Sequence, residues 1–194
     1  MRKLYLFVLL ILAISNISFA QKTKPIKPQC RANFVQLTFG GGFTRPTGWM
    51  TDTYNPSGNV FVDFTYKPNF EVGLFLENNY SFMNVIDTLA PTTGFWETAI
   101  GARYYFASKN VRSTFFFETS VGTYIIFTGS WKTISGGTVD SKTDVKFGAN
   151  AGFGTELVLT DNIYITLKAK YHNIFNVDGL MNYIGAGAGL TFRL

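Results

Sequence analysis

The sequence predicts an all-β protein: eight antiparallel strands closed into an up-and-down transmembrane barrel. Three observations predict it. From residue 33 onward the chain alternates apolar and polar residues with a period of two, the mark of strands with two unlike faces. The connections between the alternating segments are short and long in turn. The charges inside the segments all fall on one face, which they share with glycine.

The segments run roughly 33–44, 57–66, 69–83, 93–106, 113–128, 143–159, 162–173 and 182–193. Lys67-Pro68, "ASKNVR" and a turn around "TDN" are the short connections. "RPTGWMTDTYNP", "NVIDTLAPT", "TGSWKTISGGTVDSK" and "IFNVDGLM" are the long ones, rich in the residues turns require. An even strand number with short turns at one end and long loops at the other is the pattern of outer-membrane barrels, whose long loops face outside the cell.

Parity sorts the side chains. In 93–106, Trp96, Ile100, Ala102, Tyr104 and Phe106 oppose Glu97, Ala99, Gly101 and Arg103. In 113–128, Phe115, Phe117, Val121, Ile125 and Phe127 oppose Glu118, Ser120 and Gly122. In 143–159, Val145, Phe147, Ala149, Ala151 and Phe153 oppose Lys146, Gly148, Asn150, Gly152, Gly154 and Glu156. In 162–173, Ile163, Ile165, Leu167, Ala169 and Tyr171 oppose Thr166, Lys168, Lys170 and His172. The polar face holds six acids (Asp63, Glu71, Glu77, Glu97, Glu118, Glu156) against five bases (Arg103, Lys146, Lys168, Lys170, Arg193).

The closing stretch "NYIGAGAGLTFRL" puts Gly185, Gly187 and Gly189 on that same face. The chain ends too soon for the helix that a dinucleotide loop requires. Glycine weakens a strand facing water, but it gives room where a face is crowded. Eight strands enclose an interior that side chains just fill. The charged face is therefore inside and the apolar face outside, and an uncharged apolar exterior requires lipid. Gly41 falls on the apolar face and marks a bulge or local twist. Phe64, Tyr66, Phe70, Tyr104, Phe106, Phe115, Phe117 and Phe192 should form one interfacial girdle, with Phe43, Tyr80, Phe82, Trp96, Phe127 and Tyr171 forming the other.

Ahead of the barrel, "MRKLYLFVLLILAISNISFA" has the basic start, short apolar run and small-residue site of a secretory signal over 1–20, with cleavage expected after Ala20. Residues 21–32 read as a basic, proline-containing leader, and 33–194 as the barrel. Cys30 is the only cysteine, so no internal disulfide forms. Removing Arg2 and Lys3 lowers the formal charge from +5 to +3, too modest an excess for a nucleic-acid partner.

The second half resembles the outer-membrane β-barrel domain family of small, eight-stranded, OmpA/OmpX-like porin-type proteins. The likeness is carried by "FGANAGFGTEL", the "TDN" turn, "KAKYHNIF" and the closing "GAGLTFRL". It covers about residues 143–194 well, and 33–142 as a strand pattern. The ending resembles the signal read by the barrel-assembly machinery, with Phe192 near the end and Leu194 in place of a final Phe. The resemblance implies an outer-membrane location, contact with outer-membrane lipid, the assembly machinery as a transient partner and no assigned chemistry. A monomer is expected.

No catalytic, cofactor-binding or metal site is assigned. His172 is the only histidine. "KYHNIFN" superficially resembles the motif of lipid A deacylases, but that motif needs a serine two residues after the histidine, where this chain has Ile174. Parity also points His172 inward. No His/Cys cluster has metal-ligand spacing. The expected function is a non-enzymatic barrel with a filled polar lumen, acting structurally or through a partner of its long loops. The alternatives are a narrow channel and, third, a lipid-acting enzyme.

Overall fold

The computed structural model describes residues 33–86, 91–106, 113–132, 137–176 and 180–194. The predicted signal peptide 1–20, the leader 21–32 with Cys30, and parts of four connections lie outside the described residues.

Eight long strands form the wall: β1 (Phe34–Thr47), β2 (Ser57–Lys67), β3 (Val72–Val85), β4 (Thr93–Phe106), β5 (Ser113–Thr128), β6 (Lys142–Val158), β7 (Ile163–Phe175) and β8 (Met181–Arg193). Each pairs antiparallel with its chain neighbours, and β1 pairs with β8 to close the barrel. One row of paired residues runs from Phe147 through Thr123, Thr98, Asn78, Val62, Phe39, Leu190 and Ile165 back to β6 at Leu157. The stagger is therefore ten residues on eight strands, which requires the strands to tilt.

The extended loops carry small elements of their own. A 3-10 turn, Gly48–Asp52, follows β1, entered through Gly48 at φ 60°, a conformation glycine adopts without strain. Tyr54–Asn55 pairs with the end of β3, and Trp131–Lys132 pairs with Thr138–Val139.

The strands overrun the predicted segments mainly at the long-loop end. β1 continues through Arg45 and Pro46. Proline is tolerated there because β2 has already ended opposite Thr44, so on that side there is no ladder to break. No bulge interrupts β1 at Gly41, which pairs in unbroken register with Ala188 and Val60.

Parity sets inside from outside as expected. Ile100 (62% exposed), Val121 (60%) and Phe153 (69%) stand on the outer wall, while Ala99, Glu97 and Glu118 are fully buried. Tyr104 meets Phe106 edge-on at 5.3 Å at the short-turn end. At the long-loop end Tyr80 meets Phe82 at 4.8 Å and Trp96 at 6.2 Å.

Three placements correct the sequence reading. Glu71 is not in the lumen: it lies exposed in the β2–β3 turn, where the Asn69 side-chain oxygen accepts from the Glu71 and Val72 amides at 2.9 and 2.8 Å. Lys67, expected in a turn, is the last residue of β2 and points inward, 5% exposed. The outer wall is also not free of polar groups. Arg45, Asn78, Asn173 and Asn182 share the parity of outward neighbours, Arg45 because β1 extends further than its pattern predicted.

Candidate functional site: a filled lumen with a hydrophobic cap

The interior is a stack of ion pairs and rings. At the short-turn end, Glu156 accepts from Lys67 Nζ at 2.8 Å and from the Tyr105 hydroxyl at 3.0 Å. Lys67 also lies 3.5 Å from the centre of the Tyr105 ring. Arg193 and Lys146 are only half-buried, each near one end of the barrel.

Arg103 crosses the middle. Its guanidinium is paired with Asp63, donates to Glu118 at 2.6 Å and to the Thr65 hydroxyl at 2.9 Å. The rings of Phe75 and Phe116 flank it at 4.5 and 5.0 Å. Lys168 and Lys170 both donate to Glu77, at 2.7 and 3.0 Å, and reach Asp63 and Glu118 at 3.6 and 3.8 Å. A buried charge is tolerated only when paired and hydrogen-bonded, and this cluster meets that condition at all but Glu118 Oε1, which has Lys170 no nearer than 3.8 Å.

Above it sits Glu97, which forms no ion pair with Lys or Arg among the described residues. It accepts from Asn150 Nδ2 at 2.6 Å and the Tyr124 hydroxyl at 3.0 Å, and faces His172 Nδ1 at 3.2 Å. His172 is inward as parity predicted, and it stacks on Tyr183 at 4.2 Å. At the long-loop end the polar stack gives way to an apolar cap of Met50, Met83, Phe95, Ile126, Ile174 and Met181. Met50 comes from the 3-10 turn and is fully buried. Between Asn59, Asn79 and the β8 glycines remains a void of about 10 Å3, room for one water molecule.

The glycines answer to this filling. A Cβ on Gly152 would stand 2.7 Å from Lys170 Cγ, and one on Gly148 would stand 2.5 Å from the Tyr124 ring. The crowding comes from rings as much as from charged chains: Phe61, Phe75, Phe116 and Tyr124 are buried inside. Gly148→Val should therefore force the wall or the ring to move and cost about 1–3 kcal/mol. Reversible urea unfolding in vesicles reads this as a lower midpoint.

Among the described residues, the one histidine–carboxylate pair is closed off from solvent. His172 and Glu97 lie beneath the cap, and Ile174, in the position where the deacylase motif needs serine, is part of the cap itself. Among the described residues no three His, Cys, Asp or Glu side chains group to hold a metal ion.

No family model and no curated protein matches the chain. Solved structures do. Neisserial surface protein A superposes with a TM-score of 0.60 at 10% identity, covering 82% of this chain and 97% of that one. The outer membrane protein OprG of Pseudomonas aeruginosa superposes with a TM-score of 0.56 at 12% identity, covering 84% and 97%. Ail, the attachment invasion locus protein of Yersinia pestis, gives 0.53 at 12%, covering 84% and 100%. The chain has the fold of the eight-stranded transmembrane barrels of outer membranes.

Proposed function

We propose that this protein is a non-enzymatic, integral outer-membrane barrel that works as a rigid base for its long loops. The observation that carries the reading is the closed lumen: Arg103 and its partners fill the middle, and Met50 with its neighbours caps the loop end. A barrel so filled has an outer wall for lipid and a rim for partners. One barrel of this fold, Ail, has been solved in complex with the heparin analogue sucrose octasulfate. The signal sequence over 1–20 and the terminal "GLTFRL" fit export and recognition by the assembly machinery.

Conductance tests the reading. Purified protein in planar bilayers should show no stepwise channel currents at moderate voltage. Reproducible single-channel steps would favour the narrow-pore alternative.

A further inference from the structure

The polar side chains of the outer wall are not equivalent. Asn78 is provided for: its side-chain oxygen accepts from the Thr98 hydroxyl at 2.8 Å and from Trp96 Nε1 at 3.4 Å. A polar group so partnered can face hydrocarbon at little cost.

On the opposite side the situation differs. Asn173 pairs with Asn182 across β7 and β8, and Asn182 pairs with Thr47 across β8 and β1. The side-chain oxygens of Asn173 and Asn182 and the Thr47 hydroxyl are shielded from solvent and have no hydrogen-bond partner. Leaving a buried acceptor unpaired costs about 1–3 kcal/mol. Arg45 stands on the same face, two residues before Thr47 and diagonal to Asn182, a distance its long side chain spans. It is exposed and has no ion pair among the described residues. Below the group lie Phe43, Ile184 and Tyr171, exposed apolar residues of the lipid-facing wall. Beyond it the 3-10 turn is tied down by Trp49 Nε1, which donates to the Leu180 carbonyl at 2.9 Å.

A cation and three unpartnered polar atoms thus sit where the apolar wall ends. We infer that Arg45, Thr47, Asn173 and Asn182 form a binding site for the phosphorylated sugar headgroup of an outer-leaflet glycolipid. The phosphate pairs with Arg45, for which a guanidinium is well shaped. Inorganic phosphate carries too few O–H donors to pair with Arg45 and also serve both amide oxygens and the Thr47 hydroxyl. Sugar hydroxyls and an amide N–H on the same headgroup supply them, while acyl chains descend along Phe43, Ile184 and Tyr171. The inference rests on the proposed membrane placement, with the long-loop end outside.

Native mass spectrometry of the barrel in detergent with bisphosphorylated lipid A tests the site without depending on orientation. The wild type should retain one lipid A molecule, and Arg45→Gln should bind it roughly tenfold more weakly, the loss of one charge-assisted contact. The double variant Asn173→Ala, Asn182→Ala should also weaken it. Lys142→Gln, which removes an exposed lysine paired with Asp144 on β6, should not. Lipid A lacking phosphates should bind the wild type no better than bisphosphorylated lipid A binds Arg45→Gln. Equal retention by Arg45→Gln overturns the site. Displacement by millimolar inorganic phosphate, or equal retention of phosphatidylglycerol, overturns the glycolipid assignment.

Orientation is read separately on whole cells with an impermeant thiol reagent in a Cys30→Ala background. Thr51→Cys should react and Asp161→Cys should not. The reverse pattern overturns the outer-leaflet source and the membrane placement together, and leaves the detergent result to judge the site.

Discussion

Arg103→Met lowers the stability of the barrel by about 3–5 kcal/mol, the cost of breaking a buried ion pair by removing one partner. The size follows from what the substitution strands. Arg103 is paired with Asp63 and donates to Glu118, and both carboxylates are essentially inaccessible. Methionine fills much of the same volume between Phe75 and Phe116, so the loss reports charge rather than a cavity. Lys168 and Lys170 reach Asp63 and Glu118 only at 3.6 and 3.8 Å, and both are already engaged by Glu77. They offset part of the loss and not all of it. Adding Asp63→Asn to Arg103→Met should recover part of the loss, because Lys168 and Lys170 then balance Glu77 and Glu118 and the cluster is neutral again. The measurement is reversible urea unfolding in lipid vesicles, followed by Trp fluorescence. A loss below about 1 kcal/mol for Arg103→Met, the range of solvated pairs, would mean that water reaches the cluster and that the lumen is not closed.

The closure of the lumen was only half legible in the sequence. Glu77, Glu97, Glu118 and Arg103 could be placed inside because period-two alternation fixes the face of every residue in a strand once one face is known. Gly148, Gly152 and Gly154 then signalled crowding. What parity does not reveal is how far a strand extends or which side chain crosses to which. Lys67 looked like the start of a turn because Pro68 follows it, yet it keeps strand geometry and spans the lumen to Glu156. Its inward parity with Asp63 and Thr65 was the available signal. Phe61, Phe75 and Phe116 were obscured because aromatic residues occur on both faces, and the outward ones dominate the pattern. Glu71 failed for the opposite reason: it has the parity of the lumen, but Asn69 bends the chain before β3 begins.

The cap was not legible at all. Met50 lies in a stretch of polar and turn-forming residues, and only the fold-back of the 3-10 turn carries it to Met83, Met181 and Tyr183. Arg45 was hidden similarly. It was read as the first residue of a loop, and a loop arginine has no face. Once β1 is seen to run to Thr47, the same residue acquires an outward direction and neighbours on β8. Pairing beyond the membrane depends on contacts between loops, and alternation over one segment does not encode them.

Ile100→Arg tests the assignment of the two faces on which everything above depends. Ile100 lies midway along β4 between Trp96 and Tyr104, the outward aromatics of the two girdles, and it pairs with Leu76 and Val121 on the flanking strands. All three are exposed apolar residues on the outer wall. An arginine there would place its charge near the bilayer midplane, at a cost of about 2–4 kcal/mol in barrels of this kind. Ala99, its neighbour in the chain, is fully buried inside, with Glu77 and Gly122 opposite it. Ala99→Ser adds one hydroxyl to a polar interior and should cost much less. The contrast between adjacent residues is what identifies lipid. A soluble barrel with the same registers would also tolerate Ser at Ala99, but Ile100 would then face water and arginine there would be nearly neutral. Unfolding of both variants in vesicles gives the comparison. The wild type should also require detergent or lipid to stay dispersed once refolded. A stable, detergent-free monomer in which Ile100→Arg costs nothing would remove the membrane from the account and leave a water-soluble barrel in its place.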